Sequence, residues 1–219
     1  MINKSWKRKL FYFSVLLNII LILIIVFYLF SRKESLIQRY LFNFNRARII
    51  MAGDSHIANG DWNKLLARSD VLKVAMGGHT SGQVRFLLEN ALEKVNAKIC
   101  FIQAGGNDLR SDCYSRDMVI GNIEPMVLVL KARNIQPVVQ SLFYRYDLPE
   151  LNQEIDTLNM LLREMTERNQ IKYLDINHQL KEAGHFAEIY YSDLLHLSNR
   201  GYKAWSDVIN EFLADQDPK

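Results

Sequence analysis

The sequence predicts an α/β domain: a parallel sheet with helices on both faces. Three observations predict it. Five short apolar runs alternate with longer amphipathic stretches through residues 46–214, and strict strand–helix alternation gives right-handed crossovers and parallel pairing. Polar clusters stand directly after the runs, where open parallel sheets form their sites. The chain of 219 residues is 49% hydrophobic, enough for one sizeable core and no more.

The elements follow in order. Residues 1–9 form a basic tail with Lys4, Lys7, Arg8 and Lys9. Residues 10–30, "LFYFSVLLNIILILIIVFYLF", carry no charge; as a helix they span about 31 Å, the thickness of a bilayer's hydrocarbon core. A cleaved signal peptide would have a shorter apolar region and small residues at its end, whereas this run ends "FYLFSRKES". The expectation is an uncleaved single-pass transmembrane anchor. The basic tail favours a cytoplasmic N-terminus and an extracytoplasmic folded domain, on the periplasmic or extracellular side. Residues 31–45 read as a juxtamembrane linker or helix, with Leu36, Ile37, Tyr40, Leu41 and Phe44 on one face.

The domain proper spans 46–219. Its apolar runs are 48–52 "RIIMA", 71–76 "VLKVAM", 98–104 "KICFIQA", 136–142 "QPVVQSL" and 171–176 "IKYLDI". Short runs of this kind bounded by turn residues read as buried strands. Helical patterns fall at about 61–68, 82–95, 117–133, 150–168 and 199–213. In 82–95, Val84, Leu87, Leu88, Ala91, Leu92 and Val95 recur at helical spacing.

The net charge of +3 is unevenly placed. Residues 1–44 hold seven Lys/Arg and one Glu, and residues 45–219 hold 20 Lys/Arg and 23 Asp/Glu. The folded part is therefore mildly acidic, which argues against a nucleic-acid partner. Cys100 lies in an apolar run and reads as a small buried hydrophobe; Cys100 and Cys113 are too few for a disulfide scaffold.

Three clusters follow the first three runs, Gly53-Asp54-Ser55-His56, Gly77-Gly78-His79-Thr80-Ser81 and Gly105-Gly106-Asn107-Asp108, and a fourth, Asp193-Leu194-Leu195-His196-Leu197-Ser198, stands before the last helix. A serine hydroxyl becomes a nucleophile only when a base takes its proton. His196 is placed to be that base, and Asp193, three residues earlier, to orient it. The oxyanion formed on an attacked carbonyl needs donors already aimed at it. Each residue alone has a plainer reading: Ser55 as a helix cap, the glycines as a turn, Asn107 as a loop residue, Asp193 as a cap with His196 in the core. Those readings do not explain the convergence on one sheet edge.

These clusters, in this order, resemble the SGNH (GDSL-like) hydrolase family over essentially all of 46–214. "GDSH" is similar to its first block, with His56 where Leu is commonest; "MGGHTS", "GGND" and "DLLHLSNRGY" are similar to the others. The resemblance implies a three-layer α/β/α sandwich with about five parallel strands, flavodoxin-like in layout. It implies Ser55, Asp193 and His196 as a catalytic triad, an oxyanion hole of Ser55, Gly78 and Asn107, and no cofactor or metal. In the second block His79 replaces the usual Asp. His178 and His185 read as structural or surface residues.

The loops "GGNDLRSDCYSRD" and "SLFYRYDLPE" are expected to wall the pocket. Tyr114, Phe143, Tyr144 and Tyr146 offer aromatic surface, and Arg110 and Arg145 offer cations. His56, His79, Arg110 and Tyr144 are the expected substrate contacts. No lid-sized insertion is visible, which favours a short acyl group. The expected function is a serine ester hydrolase removing O-acetyl or similar groups from a cell-envelope carbohydrate. Alternatives are an SGNH-type O-acyltransferase working with envelope-polysaccharide machinery, a lysophospholipase or thioesterase, and an anchored binding module. A more distant one is a metallophosphoesterase, which Asp54-x-His56 and Asn107-Asp108 partly mimic.

Overall fold

The computed structural model describes residues 6, 9–24, 46–182, 185–186 and 188–216. The chain divides into two units, Met1–Asn43 and Phe44–Lys219.

In the first unit a helix, α1, covers 9–24 with its side chains exposed. Among the described residues no helix is long and apolar enough to cross a membrane. Of the expected span of 10–30, residues 10–24 are helical, and residues 25–30 and the expected juxtamembrane segment 31–45 lie outside the described residues.

The second unit is an α/β/α sandwich. Its strands are β1 (Ile49–Gly53), β2 (Val71–Ala75), β3 (Ile99–Gln103), β4 (Gln136–Gln140) and β5 (Lys172–Leu174). They pair in the order β2-β1-β3-β4-β5, all parallel. The helices are α2 (Ser55–Asn59), α3 (Trp62–Leu65), α4 (Ser81–Leu92), α5 (Arg116–Ala132), α6 (Asn152–Arg168) and α7 (Asn199–Gln216). A two-residue hairpin, β6 (Lys181–Glu182) with β7 (His185–Phe186), follows the sheet.

Side chains alternate across the pleat and so divide the core in two. Ile50, Ala52, Cys100, Ile102 and Val139 face α4, α5 and α6. Ile49, Met51, Phe101 and Val138 face the other way, onto α2, α3 and α7. Both faces of β1 and β3 are covered, which explains why these strands read as continuous apolar runs and not as alternating ones. The second layer centres on Trp205, fully buried, with Trp62 4.7 Å and Phe143 4.8 Å from it between ring centroids, both edge-on. Cys100 is buried and free, Cys113 exposed and free; burial pushes the Cys100 thiol up, so it is an inert core residue.

Gly53 closes β1 where space runs out. A Cβ there would lie 2.4 Å from the Gln103 carbonyl oxygen and 2.5 Å from Ile57 Cγ1. Neither the β3 backbone nor the buried Ile57 can give way cheaply. Gly53→Ala is expected to lower unfolding free energy by about 1–3 kcal/mol, read as a shifted urea midpoint; an unchanged midpoint would show that β1 can move.

Candidate active site

The chain turns sharply after β1, and Asp54 caps α2 by accepting the His56 amide at 3.0 Å. Ser55, the first helical residue, thereby stands at the C-terminal edge of the sheet. Its Oγ lies 3.1 Å from His196 Nε2. His196 Nδ1 lies 2.9 Å from Asp193 Oδ2. A hydroxyl from the start of the domain and an imidazole from its end, 141 residues apart, thus share a proton path. With Nδ1 donating to the carboxylate, Nε2 is the acceptor for the Ser55 hydroxyl.

The turn that carries the histidine is built for this. Asp193 Oδ1 accepts the Leu195 and His196 amides at 2.7 and 2.6 Å. Ser192 N–H donates to the His196 carbonyl at 2.8 Å, and Tyr191 bridges Leu197 to close the loop. The amides of Tyr146 and Asp147, after β4, donate to the Leu194 carbonyl. The His196 amide, the His196 ring and the Leu195 amide together hold the Asp193 carboxyl down to about 2. It is therefore ionised throughout the range in which a histidine base works.

Asp-x-x-His spacing is not unique to this turn, since Asp175 stands three residues before His178. There the carboxylate caps the Asn177 amide and faces Arg163, and His178 is exposed. Geometry, not spacing, separates the two.

Opposite Ser55, the loops after β2 and β3 are knitted together. Met76 to His79 is a turn with His79 N–H on the Met76 carbonyl, and Gly78 sits at its third position with φ +77°, a conformation glycine adopts without cost. A Cβ on Gly78 would meet nothing within 4 Å, so its exposed backbone is open to approach. Gly77 is the nearer to the nucleophile: a Cβ on it would lie 3.8 Å from Ser55 Cβ. Asn107 Nδ2 donates to the His79 carbonyl at 3.0 Å and to Asp54 Oδ2 at 3.4 Å. The second bond is long, and its hydrogen is the one a substrate oxygen can take over. Asp108, fully buried, accepts the Ser81 amide and hydroxyl at 2.8 and 2.6 Å. Burial raises its pKa against those hydrogen bonds, and the Asp54 charge adds to the rise. Asp108 thus ties the start of α4 to the Asn107 loop.

The four expected substrate contacts fare differently. His56 is 7% exposed, with both ring nitrogens on protein acceptors. His79 contributes its carbonyl to Asn107. Arg110 is exposed and Tyr144 half-buried, and neither lines the cavity at Ser55. Tyr144 lines a separate cleft of about 240 Å³ beside α6 and β5, where its hydroxyl binds Asp156. That cleft is larger than the one at Ser55, but it holds no nucleophile–base pair. The wall beside Ser55 is made by Gln103, Phe143 and Arg145. Gln103 is buried with its Oε1 accepting no hydrogen bond, and Arg145, 3% exposed, pairs side-on with Asp147. Gln103 was not legible, because it ends an apolar run. The side chain of His185 lies outside the described residues. Among the described residues, no group of three or more His, Cys, Asp or Glu is arranged to hold a metal ion.

A five-stranded parallel sandwich with a Ser–His–Asp relay at its C-terminal edge is the layout of a serine-dependent acyl hydrolase. Residues 50–204 match the GDSL-like Lipase/Acylhydrolase family. The fold is similar to a GDSL-like lipase from Bacteroides thetaiotaomicron (TM-score 0.71, 18% identity, 84% of this chain and 98% of that one). It is also similar to an acetyl xylan esterase (TM-score 0.65, 15% identity, 75% and 98%) and to an esterase from Pseudoalteromonas sp. (TM-score 0.60, 18% identity, 79% and 98%). None of the curated proteins matches the chain by sequence. The chain belongs to the GDSL-like lipase/acylhydrolase family and is an acylhydrolase of the GDSL type.

Proposed function

We propose that the protein is a serine esterase that removes short acyl groups, O-acetyl above all, from a carbohydrate of the cell envelope, working through an acyl-enzyme on Ser55. His196 takes the Ser55 proton as Oγ attacks the ester carbonyl. Asp193 stabilises the imidazolium, and the Ser55 and Gly78 amides with the Asn107 side chain receive the oxyanion. His196 then gives the proton to the leaving alcohol. Water, activated by the same histidine, releases the acid.

The observation that carries the acyl-size reading is the cavity at Ser55. It has about 20 Å³ of free space, and about 10–15 Å³ is what one water-sized group needs. Its wall includes Gln103, His56 and Arg145, polar side chains against which a long alkyl chain gains little. An acetyl methyl fits that description. The acetyl xylan esterase fold is consistent with a carbohydrate ester.

The tether belongs to the same proposal. It is supported by the 21 uncharged residues of 10–30 and by exposed apolar side chains along α1, such as Leu10, Phe11 and Leu23. With the basic tail on the cytoplasmic side, the esterase domain faces the envelope.

p-Nitrophenyl esters from acetyl to decanoyl test the acyl size. The expected result is a fall in kcat/KM of at least about 100-fold by eight carbons, as the chain outgrows the pocket. A preference for ten carbons would overturn the reading. Mass spectrometry of the Ser55 adduct, with and without candidate glycans, separates hydrolysis from transfer: faster discharge by a glycan hydroxyl than by water would make the enzyme an acyltransferase.

A further inference from the structure

We infer that His56 is a positioning residue: its ring clamps the turn carrying Asp193 and His196 to the end of β1, and so sets the distance between nucleophile and base. The inference rests on the Ser55–His196–Asp193 reading above.

The ring is buried, with Nδ1 3.2 Å from Asp54 Oδ1 and Nε2 3.2 Å from the Leu195 carbonyl oxygen. A carboxylate and a backbone carbonyl are both acceptors. One imidazole satisfies both only by donating from both nitrogens, that is, as imidazolium. Burial opposes that charge, but the Asp54 hydrogen bond, the Asp54 charge and the Leu195 carbonyl outweigh it, with Arg145 acting against them. The net shift is upward from the ordinary imidazole value.

Leu195 lies between Asp193 and His196. Its neighbour Leu194 is already held by the Tyr146 and Asp147 amides, so the turn is pinned at two consecutive carbonyls from two directions. His56 follows Ser55 in the chain. One residue presents the attacking oxygen while the next grips the base's loop, 139 residues away. The His56 ring also packs 5.0 Å from Phe143 and 5.7 Å from the His196 ring. An error of 1 Å in such a geometry can cost about 100-fold in rate.

The clamp depends on pH. The titratable groups packed on His56 are Asp54 from the end of β1, Arg145 from the loop after β4, His196 from the turn, and Tyr202 of α7, whose hydroxyl donates to the His56 carbonyl at 2.7 Å. A histidine whose pKa is raised on folding contributes fully below about 6.5 and loses its contribution as pH climbs through the folded value. Asp54 keeps the remaining proton on Nδ1. The Nε2 lone pair then faces the Leu195 carbonyl oxygen, and attraction becomes repulsion.

His56→Leu and His56→Gln test this. One readout is kcat and KM for p-nitrophenyl acetate. A second is the rate at which a p-nitrophenyl phosphonate modifies Ser55 from pH 5 to 10: Oγ bonds to phosphorus, p-nitrophenolate leaves, and His196 takes the proton. The leucine variant is expected to lose about 100-fold in kcat and in modification rate, with KM within about twofold. The glutamine variant keeps an N–H for Leu195 and has no proton to lose. It should recover at least about tenfold over leucine and abolish the alkaline fall of the wild-type profile. Leucine at wild-type rate overturns the inference, and so does glutamine equal to leucine. If the leucine variant does not fold, the glutamine profile decides alone, and an alkaline fall unchanged from wild type overturns it. Modification persisting in Ser55→Ala would remove the triad reading instead. Ser55 modified at equal rates in wild type and both His56 variants removes only the clamp.

Discussion

Ser55→Ala is expected to lower kcat for p-nitrophenyl acetate by about 10⁶-fold and to leave the fold in place. In a serine triad the nucleophile and base act as one unit, so removing either costs nearly as much as removing both, and what survives comes from the oxyanion donors and binding. His196→Ala and the double variant should therefore sit within a few fold of Ser55→Ala. Stability should be nearly untouched. Asp54, not Ser55, caps α2, and alanine suits the first helical position. The Ser55 side chain's bond to His196 is a contact for chemistry more than for packing. A melting temperature within a few degrees of wild type, together with lost turnover, is the expected pair of results. Turnover retained above about 1% would move the nucleophile elsewhere.

The sheet was readable because both faces of its central strands are covered. Apolar runs such as 48–52 and 98–104 then stand out against amphipathic helices, and β1 and β3 lie at Ile49–Gly53 and Ile99–Gln103. The run 171–176 overshoots β5, which is only Lys172–Leu174. β5 is an edge strand with one partner, and after Leu174 the chain leaves it. The β6–β7 hairpin is two residues per strand, too short to show any period. Helix α2 entered the sequence reading only through Ser55 as a possible cap, because five residues carry no pattern; the cap is Asp54.

The polar clusters were legible for another reason. Ser55 and Asn107 stand just past strand ends, where sites form, and Asp193 and His196 on the turn before α7; all four are residue types that acyl-transfer chemistry uses. What spacing does not encode is the direction a loop side chain takes. In the loop after β4, Phe143 and Arg145 face the cavity at Ser55 while Tyr144, between them, faces the cleft beside α6. Composition marks all three as pocket-like; only the local backbone sorts them. His56 is a related case: its ring lines the cavity at Ser55, as a histidine beside the nucleophile suggests, while both its nitrogens lie on Asp54 and Leu195.

Asp193→Asn is expected to lower kcat by up to about 10⁴-fold, the scale set by the best-studied triad. The Asp193 carboxylate does two jobs with two oxygens. Oδ1 holds the amides of Leu195 and His196, and Oδ2 holds His196 Nδ1. Asparagine has one oxygen. If it stays on the amides, the NH₂ group faces Nδ1 and forces the ring's proton onto Nε2, where it blocks acceptance from Ser55. If it turns to Nδ1, two backbone donors lose their acceptor and the turn loosens. Either outcome disables the base. The loss should appear in kcat with KM little changed, since the residue faces His196 and not the cavity. The charge also has a stability consequence of known sign. Asp193 is held at about 2, below the ordinary carboxylate value, so its contribution is present above about 4 and is lost as pH falls through about 2. Asp193→Asn should therefore flatten the acid limb of the melting temperature as well as lower turnover at neutral pH. Wild-type turnover in this variant would mean that another carboxylate, or water, orients His196.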